Sequence, residues 1–413
     1  MSIEQFFPDP AVRQRLYVGP LAGYIDGFAD QLASTGYAHS TATEKLRLVG
    51  DVSRWLDQEQ LTLDALDEQH ISTFCRHRSR AGCHRRDAAT CRQLLTYLHE
   101  LGCIADSPSN LDSEDPVDCI EREYRRFLVS ERGLTLATVD NYLPTVRAFL
   151  TERFATEEMV LEALVAQDAN QFIIRHAPQV SRSRAKLMVT ALRSFLRFLQ
   201  QRGDIAVDLA SALPPVMNWR LSGLPKSISP AQVESLLSSC DQSTTLGRRD
   251  FAILLLLARL GLRAGEVVAM TLDDLDWDAG TVTVRGKGQQ HEPLPLPHEV
   301  GQALASYLQA GRPVCSTRRV FVRLCAPHCG FASSVAICNV VRRALARAEI
   351  DPPFKGSHLL RHSLATAMLR GGASLEDIGQ ILRHRHPETT QIYAKVDLKA
   401  LRTLAQPWPG SAP

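Results

Sequence analysis

Near its C-terminal end, from Gly356 to Tyr393, the sequence reads GSHLLRHSLATAMLRGGASLEDIGQILRHRHPETTQIY. Leu360, Leu364 and Met368 recur every four residues, which predicts a helix with one apolar stripe. His358 and Arg361 are three apart and project together from a neighbouring face. Gly371-Gly372 supplies left-handed residues to end that helix. Ser374 with Asp377 then forms a capping pair for a second helix, with Leu375, Ile378, Ile381 and Leu382 facing inward. That helix is expected to run out at His384, and Pro387-Glu388 to start a short element ending in Tyr393. Two imidazoles, a guanidinium and a phenol thus fall within three short elements.

Together these side chains suit displacement at phosphorus. A phosphodiester is a stable anion, so its cleavage needs donors fixed on the non-bridging oxygens, a nucleophile, and a proton for the leaving alcohol. Arginine offers a planar bidentate fork that stays charged. Histidine exchanges protons near neutral pH. A phenol, with an ordinary pKa of about 10, becomes a nucleophile only where a base or nearby cations favour the phenolate.

The segments HLLRHSLAT and LRHRHPETTQIYAKV resemble the tyrosine recombinase (phage integrase) family, whose motif is H-x-x-R, then His or Trp, then Tyr nine residues on. His358, Arg361, His384 and Tyr393 match that spacing. Upstream, LARLGLRAGEVVAMTLDDLDW places Arg263 in the G-L-R-x-G-E pattern with Glu266 beside it, and TVTVRGKGQQHEPLPLP places Lys287 in a hairpin turn. The resemblance covers roughly residues 226–400. One departure is Arg383, where the family usually has glycine before the histidine; it adds charge beside the site. His362 and His386 fall outside the register to Tyr393, and a structural or surface place is expected for them.

The resemblance implies transesterification through a 3′-phosphotyrosine, with Arg263, Arg361 and His384 on the phosphate oxygens. It makes His358 the base toward the phenol, Lys287 the acid toward the 5′-oxygen, and Glu266 a support for the pocket. Neither a metal nor another cofactor is needed, because the covalent ester conserves bond energy. The implied partners are double-stranded DNA, further copies of the chain in a tetramer on two duplexes, and other recombinases encoded by the same element. An integrase or transposase of a mobile element is the favoured reading. The alternatives are type IB topoisomerase-like relaxation of one strand, or a catalytically inactive DNA-binding accessory protein.

The bulk numbers are compatible with such a role. At 413 residues there is room for two or three domains. Net charge is only +2, but residues 214–413 hold 23 Lys+Arg against 16 Asp+Glu and the remainder 24 against 29. A basic C-terminal half fits a polyanionic partner. The longest apolar run, Phe251 to Leu257, is too short for a membrane span. MSIEQFFPDP lacks the pattern of a signal peptide, so the expected location is cytoplasmic and nucleoid-associated. The ten cysteines have no regular spacing and read as reduced thiols; the group Cys325, His328 and Cys329 falls short of a zinc pattern.

A mainly α multidomain chain is expected: two SAM-like helical units (1–110 and 119–212), then a mixed but mostly α catalytic domain (226–413) with a small antiparallel sheet and a C-terminal tail helix. The two helical units read as an internal repeat. Residues 61–78 align with 160–176 at an offset of 98, sharing Leu63/Leu161, Leu66/Leu164 and Phe74/Phe172 among others. Blocks before and after agree, VSRWL (52–56) with VRAFL (146–150) and LLTYLHELGCI (94–104) with FLRFLQQRGDI (195–205). The second copy resembles the family's core-binding domain. Arg182, Arg184, Lys186 and Arg193 there, and Arg342, Arg343 and Arg385 further on, are candidates for backbone phosphates. Residues 105–118 and 212–228 read as linkers.

In the C-terminal domain Ser229-Pro230 with Gln232 starts a helix, and RRDFAILLLLARLG forms one buried nearly all round that ends at Gly261. Thr281–Arg285 and Glu292–Leu296 pair as a hairpin.

Overall fold

The computed structural model describes residues 3–79, 85–104, 115–155, 158–216, 223–286, 291–384, 386–396 and 401–402. They form two compact units, one of residues 1–100 with 223–413 and the other of residues 101–222. Among the described residues no helix is long and apolar enough to cross a membrane.

The N-terminal segment holds α1 (Pro10–Leu16), α2 (Ile25–Ser34), α3 (His39–Gln58), α4 (Glu68–Ser79) and α5 (Arg85–Glu100), with a 3-10 turn at Leu63–Ala65. The unit of residues 101–222 holds α6 (Pro116–Arg126), α7 (Leu136–Arg153), α8 (Ala166–His176) and α9 (Arg182–Arg202), with a 3-10 turn at Leu161–Ala163. The order helix, helix, 3-10 turn, helix, helix therefore occurs twice, and the two 3-10 turns start 98 residues apart. Inside, Trp55 packs on Phe74 at 5.6 Å, and at the aligned positions Phe149 packs on Phe172 at 5.6 Å. Tyr97 packs on Phe28 at 5.4 Å, and Phe198, aligned with Tyr97, packs on Tyr124 at 5.2 Å. Leu66 and Leu164 are both buried. Aligned residues thus form equivalent ring contacts in the two cores, rather than merely sharing helical periodicity.

The N-terminal segment meets the C-terminal one at the turn after α2. The backbone N–H of His328 donates to the Thr35 carbonyl at 2.9 Å. Beside it Gly36, at φ +83°, lies so close to the His328 ring that a Cβ would fall 2.3 Å from Nδ1. Only glycine fits that contact. Cys325 and Cys329, near His328 in sequence, are exposed free thiols.

The C-terminal segment is built on α11 (Thr245–Arg259), whose residues from Ala252 to Leu257 are all fully buried. Around it pack α10 (Pro230–Ser238), α13 (His298–Ala310), α14 (Val335–Arg347) and α15 (His358–Arg370). Helix α10 opens with the Ser229/Gln232 capping box read from the sequence. The short α12 (Ala264–Ala269) leads through β1 (Leu275–Asp276) to β2 (Thr281–Arg285) and β3 (His291–Pro295), a three-stranded antiparallel sheet in the order β1-β2-β3. Val282 and Val284 face the core while the alternate residues of β2 do not.

Helix α16 (Leu375–Ile381) carries the Ser374/Asp377 capping box but ends three residues before His384. Ile381, expected inside, is exposed, because Ile378 and Leu382 suffice to seat so short a helix. Of the glycine pair, Gly371 keeps a right-handed φ of −74° and Gly372 alone goes left-handed at +94°.

Gly261 forms a second tight corner. Its φ is +59°, and a Cβ there would lie 2.7 Å from Leu382 Cδ2 and 3.1 Å from Leu364 Cδ2. Gly261→Ala is expected to lower the unfolding free energy by about 1–3 kcal/mol through backbone strain and crowding. Urea unfolding at fixed pH checks this, and an unchanged midpoint would refute the steric account.

Candidate active site

Two of the expected groups sit at helix starts. Arg263 is the N-cap of α12, and its backbone N–H donates to Glu266 Oε2 at 2.8 Å. Its Nη1 donates to Glu266 Oε1 at 2.6 Å and its Nη2 to the Arg383 carbonyl at 3.1 Å. His358 is the first residue of α15 and is exposed to a cleft. One turn on, Arg361 is 3% exposed, and its two Nη groups donate to the carbonyls of Gly261 and Leu382. The three-residue spacing therefore does not present His358 and Arg361 alike. The ring faces solvent and the guanidinium points into the protein.

The cleft encloses about 810 Å³ and is lined by Arg263, Glu266, Arg285, His358, Arg383 and His386 among others. Tyr393 lies behind it, 1% exposed, packed with Ala365, Ile378 and Leu382. Its hydroxyl is 2.8 Å from Nδ1 of His362. The imidazole in contact with the phenol is that of His362 rather than His358, and His362, for which a structural or surface place was expected, is a half-buried partner of Tyr393. The i,i+4 relation of His358 and His362 on one helix was the available signal, since it stacks the two rings along one face. His358, His362, Tyr393 and His384 form a row, with ring centroids 6.2, 5.6 and 6.4 Å apart in turn. His386, outside the register, is exposed on the cleft wall.

Residues 382–384 hold three partners in succession. The Leu382 carbonyl accepts from Arg361, the Arg383 side chain reaches Glu266 Oε2 at 2.8 Å, and His384 Nδ1 meets Thr390 Oγ1 at 2.7 Å. Here α16 ends in a Schellman motif, with the N–H of Arg383 donating to Gln380 O and that of His384 to Gly379 O, both at 2.9 Å. Arg383 occupies its left-handed position at φ +54°, where glycine is usual and other residues carry strain of about 1–2 kcal/mol. The twist aims each neighbouring residue at a different wall of the site. Thr390 is a partner that sequence reading passed over; it is buried, and its bond fixes the His384 ring.

Electrostatics follow from burial among cations. Burial raises the Tyr393 phenol to about 12 despite the opposing pull of Arg361. Burial, with the charges of Arg263 and Arg383, brings Arg361 down to about 10, so it stays protonated at neutral pH. Burial and the neighbouring His358 and Arg361 push His362 down to about 4, and burial with Arg361 and Arg263 does the same to His384. Partial desolvation by the cleft walls, then Arg361 and Arg263, also hold His358 below its ordinary value. Glu266 is held below the usual carboxylate range: its burial opposes this, and the Arg263 N–H and the Arg383 and Arg263 charges outweigh it.

The remaining expected positions divide. Lys287 and Arg385 lie outside the described residues. Arg182, Arg184 and Lys186 are exposed along the first turns of α9, with Arg184 reaching Asn141 at 3.4 Å. Arg193 is half-buried and donates to the Leu213 carbonyl at 2.6 Å. That bond ties its Nη2 to the chain after α9. Arg343 pairs with buried Asp250 at 3.4 Å, and Arg342 is exposed, bound to Asn339 at 2.8 Å.

A fold of helical unit and mostly helical C-terminal domain with a small antiparallel sheet, carrying His, Arg and Tyr on neighbouring elements, defines a class. Residues 226–399 match the phage integrase family, and residues 122–203 match the phage integrase N-terminal SAM-like domain. The chain belongs to this family, the tyrosine-type DNA recombinases. It is 45% identical over 394 residues, 95% of its length and 96% of the relative's, to the putative integrase/recombinase y4rA of Sinorhizobium fredii (strain NBRC 101917 / NGR234). It is 32% identical over 285 residues to the tyrosine recombinase XerD of Listeria monocytogenes serovar 1/2a (strain ATCC BAA-679 / EGD-e), covering 68% of this chain and 94% of that one. Among solved structures its fold is similar to the XerH site-specific recombinase bound to palindromic difH substrate in a post-cleavage complex. There the TM-score is 0.57 with 18% identity, over 72% of this chain and 86% of that one.

The histidine shifts have a consequence for stability. His362 and His384 bind protons near 6.5 when unfolded and near 4 when folded. Between those values the unfolded chain holds more protons, so the contribution of these two histidines to stability falls as pH drops from about 6.5 to about 4 and levels off below. Urea unfolding across that range should show the slope, and His362→Gln with His384→Gln should flatten it. An unaltered slope in the double variant would refute the assignment.

Proposed function

We propose that this chain cuts and rejoins double-stranded DNA at specific sites through a 3′-phosphotyrosine at Tyr393, as the integrase or transposase of a mobile element. The observation that carries the reading is the Tyr393 hydroxyl held at 2.8 Å by His362, behind a cleft lined by Arg263 and His358. The name of the S. fredii relative, and the fold shared with the XerH complex, agree with it.

In this reading Tyr393 Oη attacks phosphorus, a P–O(Tyr) bond forms, and the P–O5′ bond breaks. The phenolic proton passes to His362, which is neutral at working pH and already in contact, in place of His358. His358, on the cleft wall, then joins Arg263 and His384 in binding the non-bridging oxygens, while Arg361, its fork kept on the Gly261 and Leu382 carbonyls, adds positive charge from behind. Lys287 protonates the departing 5′-oxygen. Since Tyr393 is buried before DNA arrives, it must swing out of the Ala365–Ile378–Leu382 pocket to reach a scissile phosphate. Attack by a 5′-hydroxyl of a second duplex reverses the step and exchanges strands. Two strands in each of two duplexes require four phenols, hence four copies of the chain on DNA. Arg182, Arg184, Lys186 and Arg342 serve as phosphate contacts outside the site.

Two experiments test this. A nicked suicide duplex taken from a boundary of the encoding element should give a protein–DNA adduct that survives denaturation and is absent with Tyr393→Phe. Arg263→Ala should form that adduct about 10²–10³ times more slowly, as expected for loss of one transition-state donor. No adduct from the unaltered chain on any boundary duplex would overturn the reading. Separately, Lys287→Ala should slow cleavage of the ordinary duplex but not of one with bridging sulfur at the 5′ position, whose thiolate leaves unprotonated. Equal loss on both substrates would remove Lys287 as the acid.

A further inference from the structure

We propose that Arg383 is a positioning residue for Arg263: it offsets the charge of Glu266 and fixes the Arg263 fork at the cleft, leaving positive charge uncommitted for an anionic phosphodiester. The inference rests on the phosphodiester reading of the cleft and adds a residue to it.

The backbone gives the first argument. Arg383 fills the left-handed position of the Schellman turn, at φ +54°, which glycine adopts without strain. The turn itself does not call for an arginine: exposed Gln60 and Glu349 hold the same conformation at φ +54° and +55°, and what sets Arg383 apart is the burial of its side chain. That side chain is 7% exposed, with Nη2 at 2.8 Å from Glu266 Oε2 and Nε at 4.0 Å from Glu292 Oε2.

Reciprocity supplies the second argument. Arg263 donates to Glu266 and to the Arg383 carbonyl, and the Arg383 side chain donates to the same Glu266. A closed ring of three residues therefore joins the start of α12 to the end of α16. Both Glu266 oxygens are taken, Oε1 by Arg263 Nη1 and Oε2 by the Arg263 N–H and Arg383.

Charge supplies the third. A carboxylate only 5% exposed in its side chain, paired with Arg263 alone, would neutralise that guanidinium. With Arg383 present, two guanidiniums face one carboxylate, and Arg361 lies close enough to feel the charges of both. The ring keeps one net positive charge, screened only in part by half-exposed Glu292 at 4.0 Å from Arg383, and Arg263, with 38% of its side chain exposed, is the member in position to use it.

The test compares Arg383→Gly, Arg383→Lys and Arg383→Gly with Glu266→Gln in the full chain. Adduct formation on a nicked boundary duplex should slow about tenfold or more in Arg383→Gly at saturating DNA, with duplex affinity changed less than about threefold. Arg383→Lys should recover part of the rate. The double variant should recover most of it, because the unbalanced carboxylate is gone. A loss of the same size whether or not Glu266→Gln accompanies Arg383→Gly would mean that Arg383 touches the phosphate itself, and no loss would mean that it does nothing for Arg263; either overturns the proposal. A readout independent of DNA is the ¹³C carboxyl titration of Glu266, assigned by its absence in Glu266→Gln. Its midpoint should rise in Arg383→Gly, and an unmoved midpoint overturns the proposal whatever the chain does to DNA. Failure of the unaltered chain to form any Tyr393-dependent adduct would strike the phosphodiester reading instead, and the Glu266 titration would then decide on Arg383 alone.

Discussion

One buried cation organises the site. The Arg361 guanidinium, nearly sealed from solvent, is shared between the carbonyls of Gly261 and Leu382. Burying a charge is costly unless it is well satisfied, so both carbonyls must stay where the fork can reach them. Gly261 ends the corner that leads into Arg263, and Leu382 ends the turn that leads into Arg383 and His384. A single side chain on α15 thereby sets the register between two segments distant in sequence. The demand for glycine at 261 follows, since a Cβ would meet Leu382 and Leu364 at the point where the carbonyl must approach.

Around that anchor the site has two layers. Arg263, His358 and Arg383 face the cleft, while His362 and Tyr393 lie behind, and the phenol is sequestered among apolar side chains. Burial keeps the phenol protonated and the imidazoles neutral at ordinary pH, so proton transfer depends on where Tyr393 sits. A phenol buried in this way is shielded from solvent while it stays in that pocket.

The N-terminal half shows how one packing solution can serve twice. The ring pairs Trp55–Phe74 and Phe149–Phe172 occupy aligned positions in helical segments with the same element order. Keeping two large apolar contacts holds a helical core together while the surface is free to change. The first segment has used that freedom at the Thr35–Gly36 turn, which receives His328 of the C-terminal segment.

Much of this was legible in the residues themselves. Caps such as Ser229/Gln232 and Ser374/Asp377, the buried run in α11 and the β2–β3 pairing are local patterns, and local patterns are written in short spacings. The membership of Arg263, His358, Arg361, His384 and Tyr393 in one constellation could also be read, because motif order survives without coordinates. What the sequence could not decide was direction. Whether Tyr393 meets His358 or His362, whether Arg361 faces the cleft or two carbonyls, and whether Arg193 is free or bound to Leu213 all depend on side-chain orientation relative to distant segments. The twist at Arg383 belongs to the same group, since a left-handed arginine runs against local preference and its pairing with the buried carboxylate of Glu266 joins segments distant in sequence. Residue identity therefore fixed the chemistry on offer, and tertiary packing decided which partner each group would have, because burial and long-range hydrogen bonds are properties of the assembled chain.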